Sequence, residues 1–193
     1  MKTQKQTYFL QMLLTVCLLF AALPGKAHEA EVNKATLVLR EGNHLSLSLF
    51  LRLDDSMYRM SLKKVPYQEF LLAHASMSAA EFEKAWLPVQ EQLQKSVQLL
   101  DAQNQPLTLR KWQWPKPEKV QAVIQENLMQ ATVAAGHHHH PALLEIRAEA
   151  SAPAALSTVR LQVHTVWQPL LVVSYRPSQT VLEAGKPPVS IRF

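Results

Sequence analysis

The 193-residue chain sets 20 Lys and Arg against 15 Asp and Glu, a formal charge of +5 at pH 7, and holds four glycines and one cysteine. Three of the basic side chains and none of the acidic ones fall in the first 27 positions, so the 166 residues that follow keep a charge of only +2. A charge that small, with no run of Lys or Arg, excludes a phosphate-backbone footprint, so nucleic acid is not an expected partner. Gly25, Gly42, Gly136 and Gly185 are too scattered for a glycine-rich phosphate loop or a nucleophile elbow.

The chain opens with Lys2 and Lys5 before an apolar stretch from Tyr8 to Leu23, and Pro24-Gly25-Lys26-Ala27 then offers a small-residue cleavage site. That is the pattern of a secretory signal peptide over residues 1–27, with His28 as the first residue of the mature chain. Residues 28–193 are read as a single periplasmic domain, long enough to bury roughly two-thirds of the surface it exposes unfolded. Cys17, the sole cysteine, lies in the leader, so the mature chain has no disulfide and stands on packing alone. Leu14-Thr15-Val16-Cys17 is a poor lipoprotein box, because Val16 is too large before a modified cysteine. No later segment reaches the roughly 18 apolar residues of a membrane span.

Alternation from Ala35 to Arg40 and from His44 to Leu53 predicts two half-buried strands joined across Glu41-Gly42-Asn43. The leucines of one parity form the inner side, while His44, Ser46, Ser48, Phe50 and Arg52 form a mostly solvated one. Asp54 and Asp55 then end the strand as a solvated turn. Pro66 to His74 is a short helix, and Ser78 with Glu81 is a capping box that opens a second. Phe82, Trp86, Val89 and Leu93 place one buried stripe on it, interrupted by Pro88, where a kink or a division into two helices is expected. Val97 to Leu100 and Leu107 to Trp114 read as a hairpin. Pro117 to about Ala135 is a third helix, with Val120, Ile124, Leu128 and Ala131 inward and Gly136 at its end. Strands are expected at Ala142 to Glu149, Thr158 to Val166, Leu170 to Tyr175, Thr180 to Glu183 and Val189 to Phe193. The fold class that follows is α+β, an antiparallel sheet or β-sandwich with two or three inserted helices.

His137-His138-His139-His140, between Gly136 and Pro141, is the strongest chemical signal. Adjacent imidazoles can present two or three nitrogens to one divalent ion, and neutral imidazole suits zinc, nickel and copper. The bland alternative is a polar loop that connects a helix to a strand. His28, once it is N-terminal, could chelate copper through its amine and ring, although the first residues of a chain usually fray. His44 and His164 read as solvated surface residues, and His74 sits near a helix end, where a cationic ring meets the dipole favourably. Met57, Met60 and Met77 could form a soft Cu(I) site but are better read as core filler. Trp112 and Trp114 are read as core tryptophans beside the Trp86 helix rather than a ligand shelf. No His-Glu-x-x-His motif occurs and no nucleophile signature stands out, so the expectation is a protein without enzymatic activity.

Ala27-His28, Leu37-Val38-Leu39 through Leu53-Asp54, the Ser78 to Leu93 helix, Pro106-Leu107-Thr108-Leu109 and Leu170 to Tyr175 together resemble the periplasmic domain of HupE/UreJ-type metal accessory proteins. That family places membrane helices after this domain; they are absent here, so transport is not implied. His137 to His140 also resembles, in its position, the histidine-rich loop of zinc-regulated periplasmic proteins, which is longer and interleaved with Asp. Both resemblances imply periplasmic metal homeostasis. The resulting reading is a periplasmic accessory protein that binds zinc, nickel or copper through His137 to His140 and passes it to a membrane transporter or another periplasmic protein. The alternative is a structural or interaction module that docks on a membrane complex with no metal role.

Overall fold

A computed structural model describes residues 32–40, 43–61, 64–133, 142–152 and 155–177. The unit that begins at Val32 is built on strands β1 (Asn33–Arg40) and β2 (His44–Leu51), which pair antiparallel with Leu37 opposite Leu47. Asn43 closes their connection at φ 60°, a left-handed conformation that asparagine tolerates better than most residues. Helix α1 (Leu53–Met60) follows at once, then α2 (Tyr67–Ala75) and α3 (Ala79–Ser96). Strands β3 (Gln98–Leu100), β4 (Pro106–Leu107) and β5 (Arg110–Gln113) lead into α4 (Pro117–Val133). The chain returns as β6 (Leu144–Ser151), β7 (Arg160–Gln162), a 3-10 turn at Thr165–Trp167 and β8 (Leu170–Tyr175).

The strands form a five-stranded sheet in the order β5-β6-β2-β1-β8 and a three-stranded sheet in the order β4-β3-β7. The fold is α+β, as the sequence predicts, with two differences of detail. The larger sheet is mixed, because β8 runs parallel to β1, with Ala35 beside Val172. The described residues also hold four helices rather than two or three.

Alternation places Leu45, Leu47, Leu49 and Leu51 of β2 and Leu144, Ile146, Ala148 and Ala150 of β6 on one buried face. Phe70, Leu71, Phe82, Trp86, Leu93, Val120 and Ile124 from the helices join that core, as do Leu99 and Leu107 from the smaller sheet. Each leucine, isoleucine, valine or phenylalanine among them withdraws apolar area worth about 1.5–3 kcal/mol.

The capping box forms as expected: Ser78 N–H donates to Glu81 Oε2 at 2.9 Å and the Ser78 side chain accepts from the Glu81 backbone. Pro88 does not divide α3, which runs unbroken from Ala79 to Ser96. The proline is exposed, so the carbonyl it leaves unpaired faces water. Of the stripe, Phe82, Trp86 and Leu93 are buried and Val89 is half-buried.

Four expectations are corrected. The strand that begins at His44 stops at Leu51, and Asp54 and Asp55 open helix α1 rather than a solvated turn. Leu107 to Trp114 is not one hairpin arm: β4 stays with β3, while β5 crosses to β6 in the larger sheet. The segment from Thr158 to Val166 is a strand only over Arg160–Gln162 before the 3-10 turn. On α4 the inner face is Val120, Val123 and Ile124, and Ala131 is exposed. The strands expected at Thr180 to Glu183 and Val189 to Phe193 lie outside the described residues.

Candidate functional site

The chain's histidines divide between two situations. His28 and His137, His138, His139 and His140 lie outside the described residues. What the structure shows of the tetrad is its two attachments, α4 before it and β6 after it. Helix α4 is held by its polar as well as its apolar face: Gln121 Nε2 donates to the carbonyl of Met77 at 2.8 Å and Gln125 Nε2 to that of Ala75 at 3.1 Å. Strand β6 is an inner strand, paired with β2 along its whole length and with β5 on its other side.

His74, His44 and His164 are each engaged by protein groups. Nδ1 of His74 is 2.8 Å from the Phe70 carbonyl and its ring lies 4.1 Å from that of Phe70, within the last turn of α2 as expected. His164 is half-buried and caps the 3-10 turn, its Nδ1 accepting from Val166 N–H. Among the described residues, no group of three or more His, Cys, Asp or Glu side chains is placed to hold a metal ion. Met57 is buried in the core, and Met60 and Met77 pack against it. Trp114 meets Trp86 edge to face at 6.1 Å and donates Nε1 to Gln94 at 2.9 Å; Trp112 and Trp114 are half-buried and pack against the core beside the buried Trp86.

Sequence reading missed two constellations. The first surrounds Asp54, whose side chain is fully buried at the first turn of α1, where the helix dipole favours an anion. Its Oδ2 accepts from Tyr67 Oη at 2.6 Å and Asn127 Nδ2 at 2.9 Å, and Arg52 Nη2 stands 3.8 Å away. Asn33 accepts the Arg52 N–H and donates to the Trp167 carbonyl, while Trp167 Nε1 donates to the buried Ser56 hydroxyl at 3.1 Å. Arg59 bridges Asp55 at 2.8 Å and the carbonyls of Val166 and Gln168. Burial, and then the adjacent Asp54 carboxylate, push the Tyr67 phenol well above its ordinary range, so Tyr67 is a permanent donor here and not a base. The network ties β1, α1, α2, α4 and the 3-10 turn together.

The second constellation lies on the solvated face, beside a cleft of about 440 Å³ bordered by His44, Thr108, Arg110, Lys111, Glu149 and Ser151. His44 Nδ1 is 3.2 Å from Ser151 Oγ and its Nε2 is 3.6 Å from Glu149 Oε2. The order Ser, His, Glu is that of a hydrolase triad, but the second distance lies beyond hydrogen-bond reach. Lys111 Nζ approaches the same Glu149 oxygen at 2.7 Å. That ammonium, with the charges of His44 and Arg40, holds the Glu149 carboxyl below the usual range. Lys111 reaches it from an irregularity in the β5–β6 ladder, with φ 53°. Glu149 is therefore committed to a lysine and does not orient the imidazole, which makes the group a cross-strand charge cluster.

A second hollow, of about 520 Å³, opens at the end of β1 and β8, lined by Leu37, Leu39, Leu45, Leu156, Tyr175 and Arg176 among others. Asp54, Tyr67 and Asn127 line neither this hollow nor the cleft beside His44, so the buried carboxylate clamps elements together rather than meeting a ligand in either space. No helix among the described residues is long and apolar enough to cross a membrane. Comparison with known proteins finds no family model, no curated protein and no solved structure that matches this chain.

Proposed function

We propose that this protein is a non-enzymatic periplasmic accessory protein that binds a transition metal, zinc, nickel or copper, through His137, His138, His139 and His140. The observation behind this reading is the tetrad itself: four consecutive imidazoles that follow α4 and precede β6 in the chain. Two or three neutral ring nitrogens suit these ions and leave coordination positions open, which favours loose binding and transfer to a membrane transporter or periplasmic acceptor. Strand β6 is paired on both sides and α4 is anchored through Val120, Gln121 and Ile124, so metal binding between them need not disturb the core. His28 would add an amine and an imidazole where cleavage follows Ala27.

Calorimetric titration with zinc, nickel and copper tests this on the wild-type protein beside a variant with His137 to His140 replaced by alanine. Stoichiometric binding in the wild type and its loss in the variant are expected. Equal affinity in both, or binding in neither, overturns the reading and leaves an interaction module.

A further inference from the structure

We propose that the edge of β8 that carries no strand among the described residues takes a second copy of this chain, with two β8 strands paired antiparallel about Val173 so that two five-stranded sheets become one. Strand β8 is last in the order of its sheet, and its only strand neighbour among the described residues is β1. Its side chains are bare on both faces: Leu171, Val172 and Tyr175 are 52%, 49% and 53% exposed. An edge strand with free N–H and C=O groups is a template for another strand, and protein edges are usually guarded by lysine, an internal proline or a bulge. Leu170 to Tyr175 contains none of these guards.

The sequence around β8 selects the occupant. No charged side chain lies between Leu170 and Tyr175, so two copies meet without like charges opposed inside the strand. Leu171, Val173 and Tyr175 stand beside Lys34, Thr36 and Val38 on the outward face, while Leu170, Val172 and Ser174 stand beside Asn33, Ala35 and Leu37. Pairing about Val173 sets Leu171 against the partner's Tyr175 and Val172 against the partner's Ser174, so same-face residues meet and both cores stay on one side. It also sets Pro169 against the partner's Pro177. Neither proline has an N–H to donate, so the two bracket the ladder symmetrically. Pairing about Val172 instead would put Tyr175 against a proline. Paired about Val173 the strand is self-complementary, with an aromatic–aliphatic pair on each side of a central Val–Val pair, the isologous arrangement that closes a two-fold dimer.

This inference is independent of the metal reading, and its test is run with chelator present. Sedimentation velocity of the purified protein over about 1–100 µM should show a dimer. Val173→Lys and Val173→Glu, each placing like charges at the two-fold axis, should raise the dissociation constant on the order of tenfold or more. An equimolar mixture of the two should recover the dimer. Leu171→Lys mixed with Tyr175→Glu repeats the test at two other exposed positions that face each other in this register. A wild-type monomer throughout the range, a dimer that both Val173 variants leave intact, or monomers in both mixtures overturns the proposal. A wild-type monomer would leave the edge to a strand from another protein.

Discussion

Asp54 shows how one side chain changes character with its partners. A carboxylate in a turn is normally solvated, yet here it is buried, with Tyr67 and Asn127 hydrogen-bonded to Oδ2. Removing one donor from a buried charge costs more than a neutral hydrogen bond is worth, so Tyr67→Phe should lower stability by about 1.5–3 kcal/mol at neutral pH. Burial and Asp54 raise the Tyr67 phenol, so the folded chain holds that proton more tightly than the unfolded chain, where tyrosine titrates near 10. The contribution is therefore complete below about pH 10 and is lost as pH rises further. Urea unfolding of wild type and Tyr67→Phe should give a constant gap from about pH 6 to 9 that narrows above pH 10. A gap that widens in alkali would show that the phenol is not held by Asp54. Nothing near Asp54 in the chain announces its partners, since Tyr67 and Asn127 lie 13 and 73 residues away. The cluster of His44 with Ser151 was equally hidden, assembled across 107 residues by strand register alone.

At the scale of elements, local codes were legible where a feature is local. Ser78 and Glu81 are three residues apart and satisfy each other's backbone N–H, so the start of α3 could be read directly. Ser78→Ala should lower stability by about 1 kcal/mol, read as a fall of roughly 2–4 °C in melting temperature. An unchanged midpoint would mean that tertiary packing of Phe82 and Trp86 alone sets the helix start. The paired leucines of β1 and β2 and the proline start of α4 were legible for the same reason. Helix α1 was not, because Leu53 prolongs the leucine alternation of β2 by one step and conceals the change of period. The division of Leu107 to Trp114 between two sheets was also concealed: β4 finds β3 within ten residues, while β5 pairs with β6, across the whole of α4. The parallel approach of β8 to β1 joins the two ends of the described chain and has no local signature.

For the whole molecule, the core and the proposed metal ligands fall on different parts of the chain. The core draws on both sheets and all four helices, whereas His137 to His140 follow α4 and precede β6. Replacing the four histidines should therefore leave the metal-free melting temperature within about 1–2 °C of wild type. Metal bound only by the folded state at a hundredfold excess over its dissociation constant adds about 2.7 kcal/mol, an upward shift of roughly 5–10 °C for a chain of this size. That shift should vanish in the alanine variant. It should also fade between about pH 7 and 5.5 in the wild type, because protons compete with metal for imidazole nitrogens. A shift that persists at pH 5.5 would assign the ion to carboxylates instead. A shift retained in the alanine variant would move the metal away from the tetrad altogether. Differential scanning calorimetry with and without metal, at both pH values and on both proteins, separates these outcomes, because the metal-free melts report the core and the differences between melts report metal binding.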